Sequence, residues 1–82
     1  TDEARFLELL PTVDALSVAL CRRRGVLGED AADFSAHVRA RFVESNYAPL
    51  QKFRGESSIK TYLAVVIASW LKDHLVAEMA DG

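Results

Sequence analysis

The side chains of this chain that could carry catalysis or bind a metal are few and lie far apart in the sequence. The two histidines, His37 and His74, belong to different apolar-periodic segments, and neither has a neighbouring cysteine or a His-Glu-x-x-His pattern. His74 falls on the apolar stripe of its segment, so we expect a hydrogen-bonded, partly buried side chain there. A single cysteine, Cys21, excludes an internal disulfide and a cysteine-based metal cluster, and we expect it to pack as a small apolar residue.

Patterns for nucleophilic catalysis and phosphate binding are equally weak. Ser57-Ser58 has no base or oxyanion partner nearby in the sequence, and capping of the helix that follows accounts for these hydroxyls. The glycines do not form a Gly-x-x-x-x-Gly-Lys loop. We therefore predict that the protein is not an enzyme, and we expect no cofactor, no metal and no small-molecule substrate.

Length and composition indicate one globular domain with a modest core. The chain has 82 residues, of which 50% are hydrophobic, which argues against a disordered chain. No apolar run approaches the roughly 20 residues that span a bilayer, and no signal-peptide pattern is present, so we predict a cytoplasmic protein without membrane contact. Ten basic and twelve acidic residues give a net charge of −2, which is low for a domain that mainly binds phosphates.

Helical periodicity begins at the N-terminus. Residues 2–9 predict one or two helical turns, and Pro11 is expected to begin a new helix because proline is tolerated in a first turn. The new helix should close at Gly25, after a run of arginines whose charge suits the helix C-terminus. The apolar residues predicted on one face of this helix are Val13, Leu16, Ala19 and Leu20.

A second helix is predicted to begin near Glu29, because carboxylates suit a helix N-terminus, and to end at Ser45-Asn46. The residues on its predicted buried face are Ala31, Phe34, Val38, Phe42 and Val43. The residues on its other side are His37, Arg39, Arg41 and Glu44. Residues 47–52, which include Pro49, are expected to form a linker with one irregular turn.

A polar loop separates this part of the chain from the last helix. Residues 53–58 contain one glycine, two serines and two opposite charges, which predicts the loop. Ser57 or Ser58 should cap the helix, which runs to about Met79. The apolar stripe of this helix consists of Ile59, Leu63, Val66, Ile67, Trp70, Leu71, His74 and Leu75. The predicted fold is all-α, a small bundle of three to four helices in a single domain spanning residues 1–82.

Some residues in this pattern could contact a partner. The run Arg22-Arg23-Arg24 is compatible with nucleic-acid binding, although a solvated helix terminus stabilised by the helix dipole is the simpler interpretation. Phe53 is expected to lie in the core. Tyr62 lies beside the buried stripe, so its ring and the charge of Arg54 could together be presented to a partner.

Two motifs resemble a known family. Phe-Arg-Gly-Glu-Ser-Ser-Ile-Lys-Thr-Tyr-Leu at residues 53–63, followed by Asp73-His74-Leu75, resembles the second conserved region of bacterial RNA polymerase sigma factors, in particular the extracytoplasmic-function type. Upstream, the arginine run with Gly25 and residues 28–34 are similar to the family's basic run, short loop and Asp-Ala-x-Asp-Leu motif. The two matches occur in the family's order and cover roughly residues 13–78.

The resemblance implies a helical domain with two binding surfaces. The helix after the Asp-Ala-x-Asp-like motif would dock on the clamp helices of the polymerase β′ subunit, and the polymerase-binding residues implied are Asp33, Ala36, His37, Arg39 and Ala40. The loop at residues 53–58 and the next helix would face promoter DNA, open the minus-ten element and hold an unstacked non-template base in a pocket. The DNA-binding residues implied are Arg54, Glu56, Ser57, Ser58, Lys60, Thr61, Tyr62 and Lys72, with Phe53 and Gly55 shaping the loop.

Further expectations follow from the resemblance. A DNA-reading domain should carry Arg54, Lys60 and Lys72 on one face with Tyr62. An anti-sigma factor is a possible further partner. The separate domain with which such factors read the minus-35 element does not fit beside this one in 82 residues, so we expect either a fragment or a protein with a single sigma-like domain.

A second interpretation is a sigma-like helical domain that binds a regulator or the polymerase through protein contacts, without reading DNA. Residues 57–82 contain two basic and three acidic side chains, a net charge of −1, which is poor for phosphate binding. Val65, Ala68 and Val76 predict an exposed apolar strip on the last helix, which is more typical of a protein contact than of a DNA contact.

Overall fold

The computed structural model describes residues 1–80, which form four α-helices. These are α1, Asp2–Arg23; α2, Gly28–Glu44; α3, Ala48–Lys52; and α4, Ile59–Ala80. No strand occurs within this span. The prediction of an all-α bundle is therefore confirmed. The predicted domain also includes residues 81–82, which lie outside the described part of the chain.

α1 is one continuous helix of 22 residues with Pro11 inside it. The prediction that Pro11 begins a new helix is therefore wrong. A proline inside a helix removes one backbone hydrogen bond and crowds the preceding turn, at a cost of about 3 kcal/mol. Phe6 and Val13, on either side of Pro11, are both buried in the same core, so the packing of one continuous helix outweighs the local cost. Thr1 caps this helix, its Oγ1 accepting the Ala4 N–H at 3.1 Å.

α1 closes at Gly25 as predicted. The Val26 N–H donates to the Cys21 carbonyl at 2.8 Å, and the Gly25 N–H donates to the Arg22 carbonyl at 3.1 Å. This pair of hydrogen bonds is a Schellman motif, which requires a left-handed residue directly after the helix. Gly25 supplies that conformation, with φ of 72°.

α2 ends with the same motif, built on Asn46. The Tyr47 N–H donates to the Phe42 carbonyl at 2.7 Å, and the Asn46 N–H donates to the Val43 carbonyl at 3.0 Å. Asn46 has φ of 55° and Tyr47 follows with φ of 61°, a conformation that is strained for an aromatic residue. The Tyr47 ring packs on Phe6, with centroids 5.4 Å apart. The chain then enters α3. This short helix lies where the sequence predicted a linker with one irregular turn.

Aromatic rings join the three long helices in the core. The Phe6 and Phe42 rings lie 4.9 Å apart, and Trp70 meets Phe42 edge-on at 5.1 Å. α2 runs antiparallel to α4, since Phe42 meets Trp70 while the earlier Phe34 meets the later His74. The predicted apolar stripe of α4 is confirmed. Its buried members are Leu63, Ile67, Trp70 and Leu71, and its partly buried members are Ile59, Val66, His74 and Leu75.

Two predictions about buried faces are wrong. Val43 is 57% exposed, because it follows the fully buried Phe42 by one residue and points about 100° away from it around the helix. Ser35 is buried instead. Ala19 on α1 is exposed beside a shallow groove that α1 forms with Lys60, so it belongs to the surface and not to the core. The other predicted core residues of α1 and α2 are buried or half-buried, and so is Cys21.

Among the helices described, none is long and apolar enough to cross a lipid bilayer.

Candidate functional site

The loop at residues 53–58 is shaped by one glycine and one serine. Gly55 turns the backbone with φ of 74°, a left-handed conformation that glycine adopts without steric cost. Ser58 begins α4: its Oγ accepts the Thr61 N–H at 3.1 Å and donates to the Thr61 Oγ1 at 2.9 Å. Of the two serines predicted as the cap, Ser58 fills the role. The hydroxyls of Ser58 and Thr61, both predicted to bind DNA, are thus engaged with each other in the helix cap.

Phe53 and Tyr62 form a ring pair beside this loop. Their centroids lie 4.9 Å apart with the planes tilted by 47°. The Tyr62 hydroxyl donates to the Pro49 carbonyl at 2.7 Å, which ties the ring to α3. Phe53 is only partly buried and lies outside the core, contrary to the prediction. α3 sends Leu50 into the core, and the chain turns extended at Phe53, so this ring rests on Tyr62 at the surface.

A pocket of about 240 Å³ opens between the loop and the ring pair. Its lining residues are Lys52, Phe53, Arg54, Glu56, Ser57 and Tyr62. Four of these, Arg54, Glu56, Ser57 and Tyr62, are among the residues predicted to bind DNA. We call this cavity the loop pocket.

Cations surround the ring pair of the loop pocket. Lys52 and Arg54 belong to its lining, and the guanidinium carbon of Arg5, on α1, lies 5.9 Å from the centroid of the Phe53 ring. A guanidinium at this distance from an aromatic face is attracted by the electrons of the ring. Glu56 is the acidic member of the lining. Neither Lys52 nor Arg5 was identified from the sequence as a candidate binding residue. Lys52 could have been identified because it directly precedes the loop.

The structure does not bring Lys60 and Lys72 to the loop pocket. Lys60 lines the groove against α1, together with Pro11, Thr12, Ala15, Leu16 and Ala19. Side chains two residues apart on an α-helix point about 200° apart, so Lys60 and Tyr62 lie on opposite sides of α4. Lys72 lies about 15 Å further along the helix axis than Tyr62. The expectation that these lysines share one face with Tyr62 is therefore wrong for Lys60, and Lys72 does not line the pocket.

The predicted polymerase-binding residues all lie exposed on α2, on two different sides. Those at helical spacing on one side are Asp33, Ala36, His37 and Ala40. Arg39 points elsewhere and forms an ion pair with Asp14 of α1, Nη1 to Oδ2, at 3.3 Å. Val43 continues the first side by one more turn, so this face combines small apolar side chains with a carboxylate and a histidine.

A histidine pair lies at the contact between α2 and α4. The His37 and His74 rings are 5.1 Å apart, and both lie near the buried ring of Phe34. His74 is partly buried, as predicted, and its Nε2 lies 3.3 Å from Oε1 of Glu78. The pKa of His37 is lowered from its ordinary value by partial burial and by the neighbouring His74. No group of three or more His, Cys, Asp or Glu side chains within residues 1–80 is arranged to hold a metal ion.

The solvent side of α4 carries exposed apolar residues. Val65 is 66% exposed and Val76 is 57% exposed, as predicted, while Ala68 is half-buried. Met79 is exposed as well and lies at helical spacing from Val65 and Val76. We call Val65, Val76 and Met79 the α4 strip; Lys72 interrupts it.

Comparison of the chain with protein-family models, with curated proteins and with solved structures finds no match in any of the three.

Proposed function

We propose that this protein is a transcription-initiation domain of the sigma region-two type. In this role α2 binds the clamp helices of the RNA polymerase β′ subunit, and the loop pocket captures an unstacked base of the non-template strand at the promoter minus-ten element. The function is binding and not catalysis, and it belongs in the bacterial cytoplasm. The observation that carries the proposal is the loop pocket, in which two aromatic rings, two cations and a hydroxyl converge on the segment that resembles sigma factors.

The contents of the loop pocket suit an unpaired base. A base taken out of its stack needs an aromatic or apolar surface and polar groups for its edge. The Phe53–Tyr62 pair supplies the surface, while Glu56 and Ser57 supply an acceptor and a hydroxyl. The cations of Lys52 and Arg54 suit the phosphates that flank such a base.

The exposed side of α2 supports the second half of the proposal. A face of Asp33, Ala36, His37, Ala40 and Val43 offers small apolar contact area beside charged groups, with Phe34 and Val38 fixing the helix from behind. Small side chains let another helix approach closely, and the core of a protein interface is poor in charge while its rim is polar.

The test is binding of the chain to a randomised library of fluorescently labelled single-stranded DNA at two salt concentrations. We expect sequence-selective binding that weakens as salt rises, because phosphate contacts release counterions. Arg54→Ala should weaken this binding with the helical content unchanged, whereas Arg23→Ala, which removes a cation from the far end of α1, should not. A folded chain that binds no sequence would overturn the DNA-binding half of the proposal.

The α4 strip favours the alternative function, in which a sigma-like domain binds a regulator such as an anti-sigma factor and reads no DNA. Val65, Val76 and Met79 are each more than half exposed on one side of α4, and Lys60 lies on the opposite side from the loop pocket. Exposed apolar patches of this kind mark protein contacts. A pull-down with isolated β′ clamp helices tests whether α2 or α4 contacts the polymerase. Under our proposal, Ala40→Glu on α2 should abolish capture of the chain, whereas Val65→Glu on α4 should not.

A further inference from the structure

We propose that the loop pocket is the first of two adjacent nucleotide subsites, and that the groove between the end of α2, α3 and α4 takes the next nucleotide of the same single strand. This inference rests on the proposed function, since it requires that the loop pocket hold a base. It adds a second position of contact that the family resemblance does not assign to any residue of this chain.

The two cavities share a wall. Lys52 and Tyr62 line both the loop pocket and the groove, and the groove has a volume of about 280 Å³ against about 240 Å³ for the pocket. Tyr62 is fixed between them, with its ring on Phe53 and its hydroxyl donating to the Pro49 carbonyl at 2.7 Å. A strand with one base on the near side of Tyr62 would therefore reach the groove with its next base.

The chemistry of the groove suits a nucleotide. Its wall includes the Trp70 indole, with the guanidinium carbon of Arg41 4.8 Å from the ring centroid, and it includes Val66 and Ala48 as apolar surface. None of its lining residues is acidic. Within the described part of the chain, neither Arg41 nor Lys52 forms an ion pair. Two cations without carboxylate partners beside aromatic surface are what a groove for single-stranded nucleic acid combines.

Lys52 explains why the two subsites should be occupied by neighbouring nucleotides and not by two separate ligands. Lys52 is the cation common to both cavities, so one ammonium can contact the phosphate that joins the two nucleotides. Arg41 lines only the groove and Arg54 lines only the pocket, so each cavity also has a cation of its own. One shared cation and one further cation in each cavity suit a backbone with one phosphate between neighbouring nucleotides.

The test uses the tightest-binding labelled oligonucleotide from the library. A series of variants of it is prepared, each with an abasic nucleotide at a different position, and the affinity of the chain for each is measured. We expect two adjacent positions at which the abasic nucleotide lowers affinity about five-fold or more, the loss typical of one stacked base. Ala48→Phe, which fills the groove, should remove the effect at one of these positions and preserve the other. A single sensitive position in the unaltered chain, or a pair of sensitive positions that Ala48→Phe leaves unchanged, would overturn the second subsite and leave the proposed function standing.

A second variant keeps the test decisive if Ala48→Phe disturbs the fold. Arg41→Gln should make the slope of log affinity against log salt less negative by about 0.7, the value for one lost phosphate contact on a single strand. Arg23→Gln, the matched loss of a cation at the end of α1, should leave that slope unchanged. An unchanged slope in both variants would overturn the groove as a phosphate-contacting subsite. Failure of every oligonucleotide to bind would instead overturn the proposed function itself.

Discussion

Tyr62 is held at both ends, by its ring on Phe53 and by its hydroxyl on the Pro49 carbonyl. Tyr62→Ala should lower affinity for single-stranded DNA about five-fold or more, because a stacking surface is lost, and Tyr62→Phe should retain most of the affinity because it keeps the ring. Fluorescence anisotropy with the selected oligonucleotide measures both. Equal losses in the two variants would show that the hydroxyl contact matters and the ring does not.

Most residues of the loop pocket could be predicted from the sequence, but the side of the loop on which each side chain lies could not. Arg54, Glu56, Ser57 and Tyr62 form one sequence motif, and a loop followed by a helix turn brings such neighbours together without long-range contacts. Phe53 was assigned to the core because an apolar residue type does not reveal which side of a turn it occupies. That choice depends on α3, where Leu50 fills the core position.

Residues that reach the site from elsewhere in the chain could not be predicted. Arg5 comes to the Phe53 ring from the first turns of α1, and no local pattern connects residues so distant in sequence. Lys60 was assigned to the site because it falls within the motif, yet the helical period sends it to the other side of α4.

α1 contains a destabilising proline that a substitution can remove. Pro11→Ala restores the donor that proline lacks and relieves the crowding of the preceding turn, so the free energy of unfolding should rise by up to about 3 kcal/mol. Urea denaturation followed by circular dichroism measures this change. Thr12→Ala, at the next position of the same helix, is the control and should change stability much less. A decrease in stability for Pro11→Ala would show that the proline ring itself contributes packing.

α4 offers a contrast between its two sides. Trp70→Ala removes a buried ring that contacts Phe42 and Arg41, and such a loss in a core costs about 3–5 kcal/mol, comparable to the whole stability of a small domain. We expect a largely unfolded chain in the far-ultraviolet circular dichroism spectrum. Val65→Ala, at a position 66% exposed on the same helix, should leave the spectrum unchanged. A folded Trp70→Ala protein would contradict the assignment of the core face.

The periodic elements were predictable and the continuity of α1 was not. In α2 and α4 most residues predicted on the apolar stripe are buried or half-buried, so local pattern and tertiary packing agree. At Pro11 they conflict: the residue favours a helix start, whereas burial of Phe6 and Val13 in one core favours continuation. Because the burial involves α2 and α4, its strength cannot be read from the residues around the proline.

For the whole molecule, the contact between α2 and α4 should make stability depend on pH. The pKa of His37 is lowered by burial, by His74 and by Arg41, while Glu44 on the same helix acts in the opposite direction. The unfolded chain therefore binds more protons than the folded chain as the pH falls below the ordinary histidine value of 6.5. The free energy of unfolding is therefore expected to be highest above that pH. It should decrease as the pH falls below it, and the decrease should stop once the pH is below the lowered pKa of His37.

Urea denaturation on both sides of that pH range measures the effect. His37→Gln should give a flatter dependence of unfolding free energy on pH, because it removes the group whose proton is lost on folding. Glu29→Gln, an exposed change at the start of the same helix, should leave the dependence as it is. An equal slope in the unaltered chain and His37→Gln would assign the effect to other groups.

The net charge of the whole chain gives little indication of where its cations gather. A net charge of −2 predicts weak attraction to nucleic acid, yet folding gathers Arg5, Arg41, Lys52 and Arg54 around the three rings of Phe53, Tyr62 and Trp70. Local concentration of cations, and not total charge, sets the affinity for phosphates in such a groove.

The single thiol of the chain is also a natural reporter of folding. Cys21 has no exposed surface, and burial raises the pKa of its thiol, so a thiol reagent can reach a reactive thiolate only when the structure around Cys21 opens. The rate of labelling in native buffer, compared with the rate in denaturant, therefore gives the free energy of opening directly. Stabilised and destabilised variants of this chain can be ranked by their labelling rates without introducing a reporter residue.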